Sequence, residues 1–357
     1  MPGSESAAGI IVLESSELPA GAPIGRASSL PAAIMLAVAG AVALLSAGWL
    51  ITSASTTWRT ALALVGVFLL FQGVQRLGRR RFGPGFRLGL WLALFWLALT
   101  VLCALFTSFL PVDGYDKVPL GATRLERPAI ELDEPLGRDT FGRSNLSRVM
   151  YGARTSLAIG AIAVGLGLTV GVTLGLLSGW YGGALDTVVN ILANATLAFP
   201  PLILLLTIVA VFSRGLLTLA LGLAVLSVPT YTRLMRAQTL SYKQREFIAA
   251  ARSMGATPRR LMFREILPNA ILPVLAYSFI VFGVTIVAEA SLSYLGLGVP
   301  PPRPSWGGMI ADGQIKLKTD PHLVYVPAVI MFLTVLSFNR VGEWARAAVL
   351  GERTESR

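Results

Sequence analysis

The sequence has few charged side chains and almost none that bind metals or form disulfides. Only 14% of its 357 residues are Asp, Glu, Lys or Arg, against about 25% in a typical soluble domain. Together with a mean hydropathy of +0.68, this shortage excludes an ordinary cytosolic enzyme. The single cysteine, Cys103, excludes an intramolecular disulfide, and the single histidine, His322, leaves too few ligands for a Cys/His metal site. We therefore expect neither a metal centre nor a bound cofactor.

Sequence signatures of catalysis are missing as well. No Gly-Lys dipeptide occurs, so the chain lacks the phosphate-binding loop of many ATPases. It has no Gly-x-Ser-x-Gly nucleophile motif, and no pair of carboxylates on a common helix face within an apolar run. We predict that the chain is not an enzyme.

Long uncharged runs make up most of the chain and predict an all-α, polytopic membrane helical bundle. About 20 apolar residues in a helix cross the 30 Å hydrocarbon core of a bilayer. We predict about eight transmembrane helices, of which the second is short and the fifth is interrupted by Pro200-Pro201: 31–51, 60–75, 88–110, 156–177, 187–212, 216–232, 271–290 and 323–338.

The net charge of +11 is concentrated in two short loops, 76–87 and 233–265. Basic loops between membrane spans face the cytoplasm. An even number of predicted spans separates the two loops, so both lie on one side of the membrane. We predict cytoplasmic termini, with 111–154 and 296–321 facing outward.

The loop 233–265 contains a predicted amphipathic helix. Its apolar residues recur at i, i+3, i+4 and i+7 and are Phe247, Ala250, Ala251 and Met254. Gly255 is placed to end this helix, Thr257 and Pro258 to begin a second one, and Pro268 to stop it. The first helix either inserts into a groove of a soluble partner or lies on anionic lipid, and composition alone favours neither. A DNA-binding helix–turn–helix fits poorly, because membrane spans flank the segment closely.

Four residues within the predicted spans are candidates for a solute pathway or gate. Glu289, the only ionisable residue of the span 271–290, either gates the pathway or has a structural role at the membrane edge. Asn190 and Asn194 lie one turn apart and either line a water-filled route or, as we favour, hold helices together. The kink at Pro200 should face protein or a wet cavity, because it frees backbone carbonyls.

Four stretches of the sequence resemble one family. The run 245–255 (REFIAAARSMG) with 266–269 (ILPN) resembles the "EAA" loop of ABC-importer permeases, which docks on the ATPase subunits. The stretches 136–154 and 181–200 resemble other segments of the same family. The run 289–307 (EASLSYLGLGVPPPRPSWG) is similar to a signature of the dipeptide, oligopeptide and nickel group, and the best matches are its second permease subunits. The resemblance covers about residues 88–345.

The resemblance implies a permease subunit of an ATP-driven peptide importer in the inner membrane, forming half of the translocation pathway. A nickel or other small-solute importer is the alternative. The implied partners are a homologous permease, two cytoplasmic ATP-binding subunits and an extracytoplasmic substrate-binding protein, without nucleic acid. A stand-alone secondary transporter is less favoured, because Glu289 is the only ionisable residue within the predicted spans.

The resemblance also divides the chain and assigns roles to residues. It implies a mobile tail (1–30), an extra N-terminal hairpin (31–87), a first core helix with an external loop (88–154), the main transmembrane domain with its cytoplasmic loop 233–268 (155–345) and a second tail (346–357). The residues that it implies for contact with the ATPase are Glu246, Phe247, Ala250, Ala251, Met254 and Gly255.

The sequence departs from the family pattern at four places. In the stretch 136–154, Arg138-Asp139 and Arg143-Ser144 replace a Thr-Asp and an Arg-Asp of the family. Ala249 stands where the EAA loop has its first acid, and Glu246 is the nearest carboxylate. Ile191 and Asn194 replace an Arg and an Asp that the family often has. Residues 1–87 have no counterpart in the usual six-span pattern.

Overall fold

The computed structural model describes residues 30–46, 56–83, 85–110, 112–119, 121–128, 134–349 and 351. Apart from Leu30, the predicted tail 1–30 lies outside these ranges, as do residues 352–357 of the predicted C-terminal tail. The chain forms two compact units, Met1–Leu88 and Gly89–Arg357. Within the described residues the regular elements are helices, apart from an isolated bridge between Arg138 and Ser144, which confirms the all-α prediction.

The first unit is a helical hairpin. It consists of α1 (Leu30–Leu45) and α2 (Thr56–Phe82), which ends in three consecutive arginines. The two helices approach so closely at glycines that a Cβ atom on Gly40 or Gly73 would collide with the backbone of the other helix. Small residues at such contacts allow membrane helices to pack through van der Waals contact alone.

The second unit contains ten helices within the described residues. They are α3 (Leu88–Phe106), α4 (Asn145–Tyr181), α5 (Gly183–Ala198), α6 (Pro201–Val211), α7 (Leu216–Lys243), α8 (Glu246–Ser253), α9 (Pro258–Arg260), α10 (Leu267–Tyr294), α11 (Trp306–Gly313) and α12 (His322–Val349).

A parallel pair of long helices, α4 and α7, forms the centre of this unit. Every fourth residue of α4 from 167 to 179 is a glycine. A Cβ atom on each of them would contact α7, and the contacted residue moves from Ser227 to Thr239 as the glycine number increases, so the two helices run in the same direction. α10 runs antiparallel to α4, since Gly160 lies beside Phe282 and Ser156 beside Glu289. α12 in turn runs antiparallel to α10, because Gly342 lies beside Ile280 and Gly283 beside Val335.

The predicted fifth span is two helices. α5 and α6 meet at an angle of 92°, with Phe199 extended and Pro200 at φ −56°, ψ 125°. A proline at the start of α6 lacks the N–H that would continue α5, so the helix breaks there. Because α4 and α7 run parallel, the chain between them must cross back, and the bent pair is therefore a broken span.

Six described helices are long and apolar enough to cross a membrane, and the bent pair makes seven. α1 is a shorter apolar helix, whose 16 residues extend about 24 Å. Part of the first predicted span, 47–51, lies outside the described residues.

The prediction that Pro268 stops a short helix was wrong. Pro268 lies in the first turn of α10, and the residues before it are also helical. The chain stays helical from Pro258 to Tyr294 through a π-helical segment, Leu261–Ile266.

Candidate coupling and pathway sites

The amphipathic helix α8 exposes most of its predicted apolar stripe. Phe247 is 43% and Met254 82% exposed. Ala250 is also exposed, Ala251 is half-buried, and Glu246 lies exposed in the first turn. A cytosolic helix with bare apolar side chains on one face can dock into a hydrophobic groove.

The opposite face of α8 is anchored by Ile248, which the sequence analysis did not single out. Its side chain is fully buried in a cluster that includes Trp180 of α4, Met235 of α7 and Leu261 of the π-helical segment. The signal in the sequence was a second short apolar stripe, Ile248 and Ala251, which the stripe through Phe247 and Met254 obscured. Ile248 therefore connects α8 to the central helix pair.

Two cationic side chains of neighbouring segments lie close to the ring of Trp180, at the end of α4. Lys243 Nζ donates a hydrogen bond to the Trp180 carbonyl oxygen at 2.6 Å and lies 5.4 Å from the ring centroid. The Arg252 guanidinium of α8 lies 5.7 Å from the same centroid. Attraction between a cation and an aromatic ring contributes about 0.5–2 kcal/mol per pair, so α8 has a second attachment to α4.

Backbone geometry fixes the end of α8. Gly255 has φ +83°, a conformation that favours glycine, and its N–H donates to the Arg252 carbonyl at 3.0 Å. Thr257 then caps the next helix by accepting from the Arg260 N–H at 3.4 Å. This turn leaves the side chain of Met254 exposed to solvent.

The predicted asparagines lie on the face of α5 that contacts α7. Asn190 Nδ2 donates to the Asp186 backbone oxygen at 2.7 Å and to its carboxylate at 2.8 Å. That carboxylate accepts two hydrogen bonds from Arg236 of α7, at 2.5 and 2.6 Å. One turn further along, Asn194 Oδ1 accepts from Arg233 at 2.6 Å. Both asparagines thus take part in polar contacts that connect α5 to α7.

The helices α5 and α7 extend beyond the uncharged runs from which the spans were predicted. The charged residues Asp186, Arg233 and Arg236 belong to these extensions.

A cavity of about 560 Å³ adjoins this polar face. Its walls come from α5, α7, α10 and α12, and its lining residues are Leu197, Thr230, Arg233, Leu234, Gln238, Pro273, Tyr277 and Arg346. Pro200 is exposed three residues beyond Leu197, at the bend between α5 and α6.

Glu289 is fully buried among serines at the other end of the bundle. Its carboxylate accepts from Ser156 of α4 at 3.2 Å and from Ser293 of α10 at 2.7 Å. Ser156 Oγ also accepts from the backbone N–H of Trp306 in α11 at 3.2 Å. The buried carboxylate thus connects α10 to α4 and, through Ser156, to α11.

A charged cluster at the start of α4 was missed by the sequence analysis. Arg148, 5% exposed, pairs with Asp139 of the preceding loop and with Asp312 of α11. Arg143 pairs with the same Asp139 at 2.7 Å. These ion pairs connect the loop that precedes α4 to α11. Within the described ranges, no three His, Cys, Asp or Glu side chains lie together as metal ligands would.

Comparison with known proteins gives the family. A model of the "Binding-protein-dependent transport system inner membrane component" family matches residues 171–350. The glutathione transport system permease protein GsiD of Pectobacterium atrosepticum is 39% identical over 60% of this chain and 71% of its own length. The dipeptide transport system permease protein DppC of Alkalihalophilus pseudofirmus is 36% identical, over 70% and 81% respectively. The GsiD protein of an Escherichia coli strain is 35% identical over 82% of this chain and 96% of its own.

The matched region contains α8, the broken span and Glu289, and the three relatives are permeases. The chain is therefore a multi-pass membrane protein that belongs to the family of inner membrane components of binding-protein-dependent transport systems.

Proposed function

We propose that this permease is one of two membrane subunits of an ATP-driven importer for peptides. Relatives named for dipeptide and glutathione transport support the substrate class, because they match across most of the chain. The chain itself would perform no chemistry. It would convert the movement of ATP-hydrolysing partners into a change in access to the pathway.

The single observation that carries this proposal is the two-sided character of α8. Its outer side leaves Phe247 and Met254 in solvent, while Ile248 on the inner side is fully buried. A partner that binds the outer side and moves would displace Ile248 on the inner side, and with it the ends of α4 and α7. Glu246, Ala250, Ala251 and Gly255 complete the docking segment.

The full assembly in this proposal contains a homologous permease, two cytoplasmic ATP-binding subunits and an extracytoplasmic substrate-binding protein. The basic loop 233–265, which includes α8, would face the cytoplasm. α4, α7 and α12 all run in one direction, so the C-terminal end of α12 would also be cytoplasmic. We place the N-terminus on the same side, because the arginines that end α2 belong to a second basic loop.

The pathway would pass the broken span. Asn190 and Asn194 hold α5 against α7, and Pro200 provides the bend that opens the wall of the cavity. Glu289 would serve as a latch that fixes α11 to α4 and α10 at the outer end. The core at 88–345 would suffice for transport, with the hairpin at 31–87 as an accessory.

Purification and reconstitution of the chain together with its partner subunits test the proposal. The chain should co-purify with a second permease and an ATPase, and the complex should import a peptide only with ATP and the binding protein. Transport by the isolated chain, driven by an ion gradient, would contradict the proposal, as would a failure of the complete complex to import any peptide.

A further inference from the structure

Among the described residues, the cavity between α5, α7, α10 and α12 is lined by two basic side chains and no acidic one. Arg233 and Arg346 line it together with the polar groups of Thr230, Gln238 and Tyr277. Both arginines are exposed, so a solute in water can reach them. A volume of about 560 Å³ lies within the usual range for small-molecule sites, about 300–1,000 Å³.

Two neighbouring arginines of α7 differ in how their charge is balanced. Arg236 is neutralised by the Asp186 carboxylate, to which it donates two hydrogen bonds. Arg233 donates instead to Asn194, an amide without charge. Among the residues that the structure describes, neither Arg233 nor Arg346 forms an ion pair. A negatively charged ligand would therefore neutralise the positive charge of the cavity.

Arg233 is the first charged residue after the uncharged run 216–232 of α7. It therefore lies where the apolar part of the helix ends, on the side that the proposed function assigns to the cytoplasm. Asn194 holds the guanidinium in place without cancelling its charge.

We propose that Arg233 and Arg346 form a binding site for the carboxylate of the transported peptide, on the inner half of its route. The inference rests on the proposed function as a peptide permease. The planar guanidinium of arginine binds a carboxylate through two parallel hydrogen bonds. Thr230, Gln238 and Tyr277 supply further polar groups for the peptide amides. The site would thus select for a free carboxyl group after the binding protein has released the cargo.

The experiment measures binding to the complete permease–ATPase complex in nanodiscs of zwitterionic lipid, without the binding protein. The probes are trialanine and its C-terminal amide, titrated by calorimetry. We expect the wild-type complex to bind trialanine about tenfold more tightly than the amide, the effect of one charge-assisted hydrogen bond. Arg233→Gln and Arg346→Gln should each weaken trialanine binding about tenfold and reduce the preference for the acid. Arg340→Gln, which removes an exposed arginine of α12, should change neither value.

Three results would overturn this inference. The first is equal binding of acid and amide by the wild type, or no binding of trialanine. The second is unchanged binding in Arg233→Gln. The third is displacement of trialanine from the wild type, but not from Arg233→Gln, when anionic phosphatidylglycerol is added, which would assign the cavity to a lipid phosphate. ATP-dependent import of trialanine by the same complex, with the binding protein present, tests the proposed function separately, since import can persist when the carboxylate site fails.

Discussion

The guanidinium of Arg252 in α8 lies 5.7 Å from the ring centroid of Trp180 at the end of α4. The Lys243 ammonium, from the end of α7, approaches the same ring. One tryptophan thus joins the short helix α8 to the two parallel helices at the centre of the bundle. Together with the buried Ile248, this contact would transmit force to these helices from a partner bound to α8, as the proposed function requires.

Truncation of the anchor should loosen α8. Ile248→Ala removes a fully buried side chain, and such a change costs about 2–5 kcal/mol. We expect a lower melting temperature of the purified complex and less peptide imported per ATP hydrolysed. Ser253→Ala, at an exposed position of the same helix, is the control and should leave both values near wild type. A coupling ratio that is unchanged in Ile248→Ala would contradict the role of this anchor.

The parallel packing of α4 and α7 predicts a difference between two glycines of α4. A Cβ at position 175 would collide with the Thr232 carbonyl, whereas one at 165 would contact nothing within 4 Å. Gly175→Ala should therefore destabilise the protein by about 1–3 kcal/mol. Gly165→Ala should be neutral or slightly stabilising, because alanine favours helix more than glycine. Thermal unfolding in detergent measures both, and equal melting temperatures would contradict the packing described here.

The ion pair between Asp186 and Arg236 should stabilise the contact of α5 with α7. Both side chains are partly exposed, so we expect a coupling free energy of only about 1 kcal/mol from a double-mutant cycle of Asp186→Asn and Arg236→Gln. The double variant should be no less stable than the worse single variant. Strictly additive losses would show that the two side chains do not interact.

Hydropathy was enough to predict most of this fold. Uncharged runs place α2, α3, α4, α7, α10 and α12, because a membrane helix must be apolar over about 20 residues. The break near Pro200 could also be predicted, because a proline lacks the N–H that would continue a helix. The 92° angle between α5 and α6 could not, since composition gives the break and not its direction.

The tertiary contacts of the candidate sites were much harder to predict. Ile248 is apolar like its neighbours in α8, and only packing shows that it faces inward. Arg233 and Arg236 are three residues apart in a basic segment. The sequence of this segment does not indicate which of the two forms an ion pair with a carboxylate. Arg148 and Asp312 are separated by 164 positions, so their pairing depends on the fold as a whole.

The buried acid Glu289 predicts a difference between an amide and an apolar replacement. Glu289→Gln keeps an acceptor for Ser156 or Ser293, whereas Glu289→Leu leaves both serine hydroxyls without one. We expect Glu289→Leu to lower stability by about 1–3 kcal/mol and Glu289→Gln to retain both stability and import. Loss of import in a stable Glu289→Gln complex would show that the charge itself is needed and would contradict the role as a structural latch.

The N-terminal hairpin should be dispensable for transport. Residues up to Leu88 form a compact unit of their own. A chain that lacks residues 1–75 should insert, assemble with its partners and import peptide at a rate within about a factor of two of the full chain. Loss of assembly in correctly inserted material would contradict this division.

The most direct test asks what the exposed face of α8 contacts. A photoreactive phenylalanine analogue at position 254, which is 82% exposed, is compared in the assembled importer with the same analogue at position 141, an exposed residue of the loop before α4. We expect covalent capture of the ATP-binding subunit from position 254 and none from position 141. Capture of lipid alone at position 254, with the ATP-binding subunit present and active, would show that α8 is not the docking element.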